Sequence, residues 1–140
     1  PGLYGKAFTL IKFRTMIDKC DAQGNLLPDE KRLTRFGKWL RSTSLDELPE
    51  LLNVLRGDMS LVGPRPPLPD EVEKYSHNHS ERLSIKPGIT GLSQVRGRSD
   101  LSFSRWIRWD LWYINNWSFG LDIRILFWTI PTVLKGKGAY

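Results

Sequence analysis

Apolar and polar side chains alternate through KAFTLIKFRTM (Lys6–Met16), with Phe8 and Leu10 on one side and Lys12 continuing it, which predicts a strand. DAQGNLLPDE (Asp21–Glu30) breaks the pattern with Gly, Asn and Pro and reads as a loop. The period then changes. Leu33, Phe36 and Leu40 fall on one face of a short helix over Lys31–Arg41, despite Gly37. A second helix covers about 44–56 and stops at Gly57. The four prolines and two glycines of Gly57–Pro69 make an extended, stiff loop. DEVEKYSHNHSERL (Asp70–Leu83) reads as a polar helix, and KPGITGLSQVRGR (Lys86–Arg98) as turns. Two amphipathic helices, at about 101–116 and 120–134, close the pattern. These elements predict one α-rich α+β domain over residues 1–140, with a small β-hairpin or sheet and several amphipathic helices around it.

Charge adds an uneven field to this outline. Residues 1–43 carry nine Lys/Arg against four acids, 44–81 three against eight, and 82–140 nine against three, within a net +6. Basic flanks around an acidic centre point to anionic partners such as phosphate, nucleic acid or an anionic membrane surface. Cys20 is the only cysteine, so no intrachain disulfide forms, which fits a reducing compartment. It reads as an ordinary thiol near a polar loop. The first residues lack the apolar stretch of a signal peptide. A membrane span needs ~20 apolar residues; Ile125–Leu134 is half that length and contains Pro131. PGLYGKAF reads as the middle of a hairpin, so the sequence is expected to be a piece of a longer protein.

The chemistry concentrates in SLDELPELLNVL (Ser44–Leu55). Ser44-x-x-Glu47 has the form of a capping box, and Asp46 would sit well at the positive end of a helix. Pro49 disturbs that register and favours a helix beginning at Asp46. The surroundings argue for more than capping. A helix start favours anions, Arg41 lies just upstream, Arg65 stands between prolines just downstream, and Lys12 is on the strand predicted to pack nearby. Guanidinium groups suit phosphate, and Mg²⁺ is held by one or two carboxylates plus phosphate oxygens. These residues suggest a site for a phosphate-bearing substrate. Adjacent acids do not suit glycosidase chemistry, whose carboxyls face each other across about 5–9 Å. One acid as nucleophile and metal ligand, with its neighbour in support, fits better.

KFRTM, LRSTSLDELPELLNVLRGDMSLVGPRP, KPGITGLSQVRGR and DLWYINNWSFGLDIRILFWT, in this order, resemble the bacterial sugar transferases of the monotopic polyprenyl-phosphate phosphoglycosyl transferase superfamily. The similarity runs from Gly5 to Tyr140. The resemblance implies transfer of a sugar 1-phosphate from a UDP-sugar to undecaprenyl phosphate with release of UMP, in a Mg²⁺-dependent reaction that initiates exopolysaccharide or O-antigen synthesis. It implies Asp46 as nucleophile and Mg²⁺ ligand, forming a covalent aspartyl phosphosugar, with Glu47 in support and Lys12, Arg41 and Arg65 as phosphate-binding residues. It also implies a place on the cytoplasmic face of the bacterial inner membrane. Members of the family carry a hydrophobic, membrane-dipping helix ahead of this region, which is not in the sequence.

Five of the six tryptophans are Trp106, Trp109, Trp112, Trp117 and Trp128. Phe103, Trp106, Ile107, Tyr113, Ile114 and Trp117 share a broad helical face with Arg105 and Arg108 alongside. That mixture suits either the core or a membrane interface rich in anionic lipid. Because Trp109 and Trp112 fall outside the face, the interface is favoured, with Trp106, Trp109, Trp112 and Trp117 as its contacts. Gln94, Arg96 and Arg98 follow a tight KPGITG loop and are candidate contacts for nucleotide or lipid phosphate. His77 and His79 read as surface histidines rather than metal ligands. A basic, Trp-rich module that binds nucleic acid or a membrane surface without catalysis explains charge and aromatics. It gives no reason for the acidic helix start or the stiff GPRPPLP loop, so an enzyme without a nucleic-acid partner is expected. The sequence names neither the sugar nor the oligomeric state, and a homo-oligomer is compatible with it.

Overall fold

A computed structural model describes residues 1–97 and 101–134, apart from the His77 side chain. After a 3-10 turn at Leu3–Gly5, the chain runs extended to Thr15 and forms no ladder there. The strand expected over Lys6–Met16 is therefore a correction. Its backbone groups are satisfied otherwise: the buried Asn53 side chain accepts from Ile11 N at 3.1 Å and donates to Thr9 O at 2.8 Å. One amide side chain thus stands in for a neighbouring strand. Isolated antiparallel bridges pair Met16 with Leu33 and Cys20 with Leu26, and Cys20 is exposed.

Helix α1 is a single turn, Asp29–Arg32, and α2 is Arg35–Ser42. The Thr34 side chain caps α2 by accepting from Gly37 N at 2.8 Å. A 3-10 turn at Leu45–Glu47 leads through Pro49 into α3, Glu50–Arg56, which ends at Gly57 with φ 84°. Ser44 has φ 55° and does not cap through its side chain, so the expected capping box is replaced by a left-handed bend that turns the chain from α2 into the acidic pair.

Strand β1 (Ser60–Val62) pairs in parallel with β2 (Gly88–Thr90), in the register Ser60 to Gly88 and Val62 to Thr90. The sheet thus arises from segments read as loop and turns. Between them the expected Asp70–Leu83 helix is broken into α4 (Pro69–Val72), α5 (His77–Ser80) and a 3-10 turn, Glu81–Ser84, because Ser76 leaves the helix and caps α5. His79 is half-buried among Tyr75 and Phe103 rather than on the surface.

Helix α6 (Leu92–Arg96) precedes α7 (Phe103–Asn115) and α8 (Phe119–Leu134), close to the sequence expectation. The core joins the sheet to these helices through Val62, Leu92, Tyr113 and Ile125. The Tyr113 hydroxyl donates to Asp122 at 2.7 Å, which fastens α7 to α8. Among the described residues no helix is long and apolar enough to cross a membrane.

Candidate active site

The extended segment, α2 and the Leu45–Glu47 turn meet along one side of an open cleft of about 1080 Å³. Phe13 N donates to Asp46 O at 2.9 Å, which docks the segment against the acidic turn. Lys12 then reaches two carboxylates, Glu47 at 2.9 Å and Glu50 at 3.0 Å. Glu47 and Glu50 are three residues apart across the junction of turn and helix, so both face the segment. Glu50 is only 3% exposed. Its burial raises its pKa above the ordinary carboxylate range against the pull of Lys12. Burial alone would lower the Lys12 ammonium, but Glu47 and Glu50 outweigh it and hold it above the usual value.

Asp46 lies half-buried beside this triad and, among the described residues, takes part in no ion pair. Desolvation, then the Glu47 charge, lifts its pKa; Lys12 and Arg41 oppose the rise. Asp46 thus lines the cleft as a carboxyl whose desolvation is only partly offset by the nearby cations. Arg41 is oriented by its Nε donating to Thr15 Oγ1 at 3.0 Å, and Arg65 projects from the proline-rich loop into the same cleft. The structure therefore brings Lys12, Arg41, Asp46, Glu47, Arg65 and Gln94 onto one cleft.

The other predicted residues fall in several places. Arg96 stacks between Trp109, at 5.2 Å from the ring centroid, and Trp128, at 5.3 Å, and so pins α6 to the last two helices. Arg98 lies outside the described residues. Trp106 lines the cleft, Trp109 packs against the core, and Trp112 and Trp117 are exposed. Sequence reasoning missed Glu50, whose one signal was its spacing from Glu47. It also missed Arg82, which is paired with Asp110 at 2.8 Å.

Among the described residues there is no group of three or more His, Cys, Asp or Glu placed to hold a metal ion. Asp46, raised by desolvation and then by the adjacent Glu47 charge, and Glu47 itself are adjacent carboxylates of the kind that would hold a divalent cation together with substrate phosphate. Such a cleft can bind phosphate groups against a carboxylate, as a phosphate-handling enzyme requires.

Comparison with known proteins narrows that class. Residues 1–136 match the family described as bacterial sugar transferase. The sugar transferase EpsL of Bacillus subtilis is 54% identical over 138 residues, covering 99% of this chain and 68% of EpsL. Undecaprenyl-phosphate galactose phosphotransferase of Salmonella typhimurium is 43% identical over 99% of this chain and 33% of its own length. UDP-glucose:undecaprenyl-phosphate glucose-1-phosphate transferase of Xanthomonas campestris is also 43% identical, with 99% of this chain and 31% of that protein covered. The chain belongs to the bacterial sugar transferases, an enzyme family. It spans about two thirds of EpsL and about one third of the other two relatives.

Proposed function

We propose that the protein transfers a sugar 1-phosphate from a UDP-sugar to a polyprenyl phosphate, with Asp46 as the nucleophile. The observation that carries this is the position of Asp46: it shares the cleft with Lys12, Arg41 and Arg65 while Lys12 is engaged by Glu47 and Glu50. The names of the Salmonella and Xanthomonas relatives supply the substrate classes.

In the first step an Asp46 carboxylate oxygen attacks the β-phosphorus of the donor. The bond from that phosphorus to the bridging oxygen breaks, and UMP leaves with the oxygen and its electron pair. The sugar phosphate remains as an acyl phosphate on Asp46. In the second step an oxygen of the acceptor phosphate attacks the same phosphorus, the aspartyl P–O bond breaks, and the carboxylate is restored. The acceptor is already anionic, so no base is needed to activate it. Arg41 and Arg65 bind and orient the phosphates, and Lys12 is held at the cleft edge by Glu47 and Glu50 to do the same. A Mg²⁺ ion, when bound by Asp46 and Glu47, supplies positive charge against the diphosphate.

An amphipathic surface suits a lipid acceptor. Trp112, Trp117, Phe119, Phe127 and Leu134 are exposed along α7, α8 and the link between them, as suits helices resting at a membrane surface; the reading places them at its cytoplasmic face. The reading is tested by intact mass after mixing the protein with Mg²⁺ and a panel of UDP-sugars without lipid. A gain of one hexose phosphate accompanied by UMP is expected and identifies the donor. Turnover with lipid but no adduct under any condition overturns the covalent route.

The titration of Asp46 provides a second check. In the metal-free protein its carboxyl titrates above the ordinary Asp value because of desolvation and Glu47, and NMR of the side-chain carbon reads that titration. Glu47→Gln removes the second of those causes. The metal-free midpoint is expected to move to lower pH. A midpoint that stays in place or moves up means that Glu47 is not a cause of the shift.

A further inference from the structure

Arg82, on the Glu81–Ser84 turn, is 4% exposed and does not line the cleft. Burying a guanidinium is costly unless its charge and donors are met. Here one carboxylate and two rings meet the charge and two of the donors reach oxygens, while Nε has no hydrogen-bond partner. Asp110 of α7, itself 1% exposed, pairs with Nη2 at 2.8 Å. Nη1 donates to the Tyr75 hydroxyl. The guanidinium carbon lies 5.6 Å from the Tyr75 ring centroid and 5.4 Å from that of Trp106. Desolvation raises Asp110, and Arg82 is the first influence opposing that rise.

The remaining contact points toward the cleft. Nη2 also donates to the main-chain carbonyl of Arg65 at 3.2 Å. Arg65 stands between Pro64 and Pro66, neither of which has an N–H, so its carbonyl is a natural point at which to hold this stretch. Its side chain extends the other way, into the cleft with Asp46.

We propose that Arg82, held by Asp110, is a positioning residue that fixes the Arg65 backbone so that the Arg65 guanidinium meets the donor phosphate. The inference rests on the proposed function for what Arg65 binds, but not for what Arg82 holds. It assigns α7 a part in the chemistry through two buried charges. A lysine cannot replace the fork, because it lacks the planar set of donors needed to serve Asp110, Tyr75 and the carbonyl together.

The test is a double-mutant cycle on the full-length protein, read as kcat/KM for the UDP-sugar and paired with hydrogen exchange. Arg65→Ala is expected to lower kcat/KM roughly 100-fold and Arg82→Lys roughly tenfold. The double variant should resemble Arg65→Ala within about twofold, because a residue that acts only through Arg65 has nothing left to position. Additive losses overturn the proposal. Exchange in the peptide covering 60–72 should quicken in Arg82→Lys while α3 stays protected; no change at 60–72, or an equal rise everywhere, also overturns it. Should Arg82→Lys fail to fold, Tyr75→Phe removes only one of the guanidinium's partners. It should show the same coupling to Arg65→Ala on a smaller scale, and additivity there is equally fatal. A wild-type protein inactive on every UDP-sugar would remove the proposed function, and exchange at 60–72 would still decide whether Arg82 holds the loop.

Discussion

Asp46→Asn is expected to abolish the phosphosugar adduct and to lower sugar-phosphate transfer by roughly 10⁴-fold or more, the scale of loss when a covalent nucleophile is removed. The substitution keeps the size and polarity of the side chain but replaces an anionic oxygen with an amide, which does not attack phosphorus at a useful rate. UMP release should stop as well, because in this mechanism the donor is cleaved only by that attack. Stability should not suffer. The bond from Phe13 N ends on the Asp46 carbonyl, which the variant retains, and no ion pair is lost. The folded-state pKa of Asp46 is raised, mainly by desolvation and then by Glu47. For an acid, a raised pKa means that ionisation weakens the fold as pH climbs from the unfolded to the folded value. At neutral pH the neutral Asn escapes that penalty, so the melting temperature should hold or rise slightly. A variant that melts normally and transfers nothing places the defect in the chemistry. One that retains a tenth of the activity makes Asp46 an orienting group.

Legibility from sequence followed the range over which each signal acts. Helices α7 and α8 are long and carry repeated apolar spacing, so their extents were readable. Lys12, Arg41, Asp46, Glu47 and Arg65 are chemically conspicuous in the sequence, and the structure brings them onto one cleft. The sheet was not, because each strand is three residues long and its partner lies beyond a crossover of some two dozen residues. The alternation in Lys6–Met16 did report an extended chain, but not what would pair with it. That role fell to Asn53, an interior residue of a leucine-rich helix. Glu50 and Arg82 resemble ordinary surface charges in sequence. Their burial depends on the folded neighbours, Lys12 for one and Asp110 for the other, that make it tolerable.

Gly37→Ala should lower stability by about 3 kcal/mol, on the order of 10 °C in melting temperature for a chain of this size. Helix propensity makes the opposite forecast, since exchanging Gly for Ala inside a helix ordinarily stabilises by about 1 kcal/mol. Geometry decides between them. A Cβ at position 37 would lie 1.9 Å from the Thr15 carbonyl oxygen and 2.7 Å from its carbon, both backbone atoms of the extended segment. No rotamer change relieves a backbone contact, so the segment has to lift from α2. Three further bonds join the same surfaces: Thr34 N and the Thr34 hydroxyl each donate to Thr15 O at 3.2 Å, and Arg41 Nε donates to Thr15 Oγ1 at 3.0 Å. Lifting Thr15 therefore loosens Arg41 directly and shifts Lys12, three residues upstream, away from Glu47 and Glu50. Transfer activity should fall even at temperatures where the variant remains folded, and restoring stability with a ligand should not restore the rate fully. A melting temperature that rises in Gly37→Ala would mean that the extended segment does not lie against α2. The pairing of Lys12 with the acidic turn would then need another support.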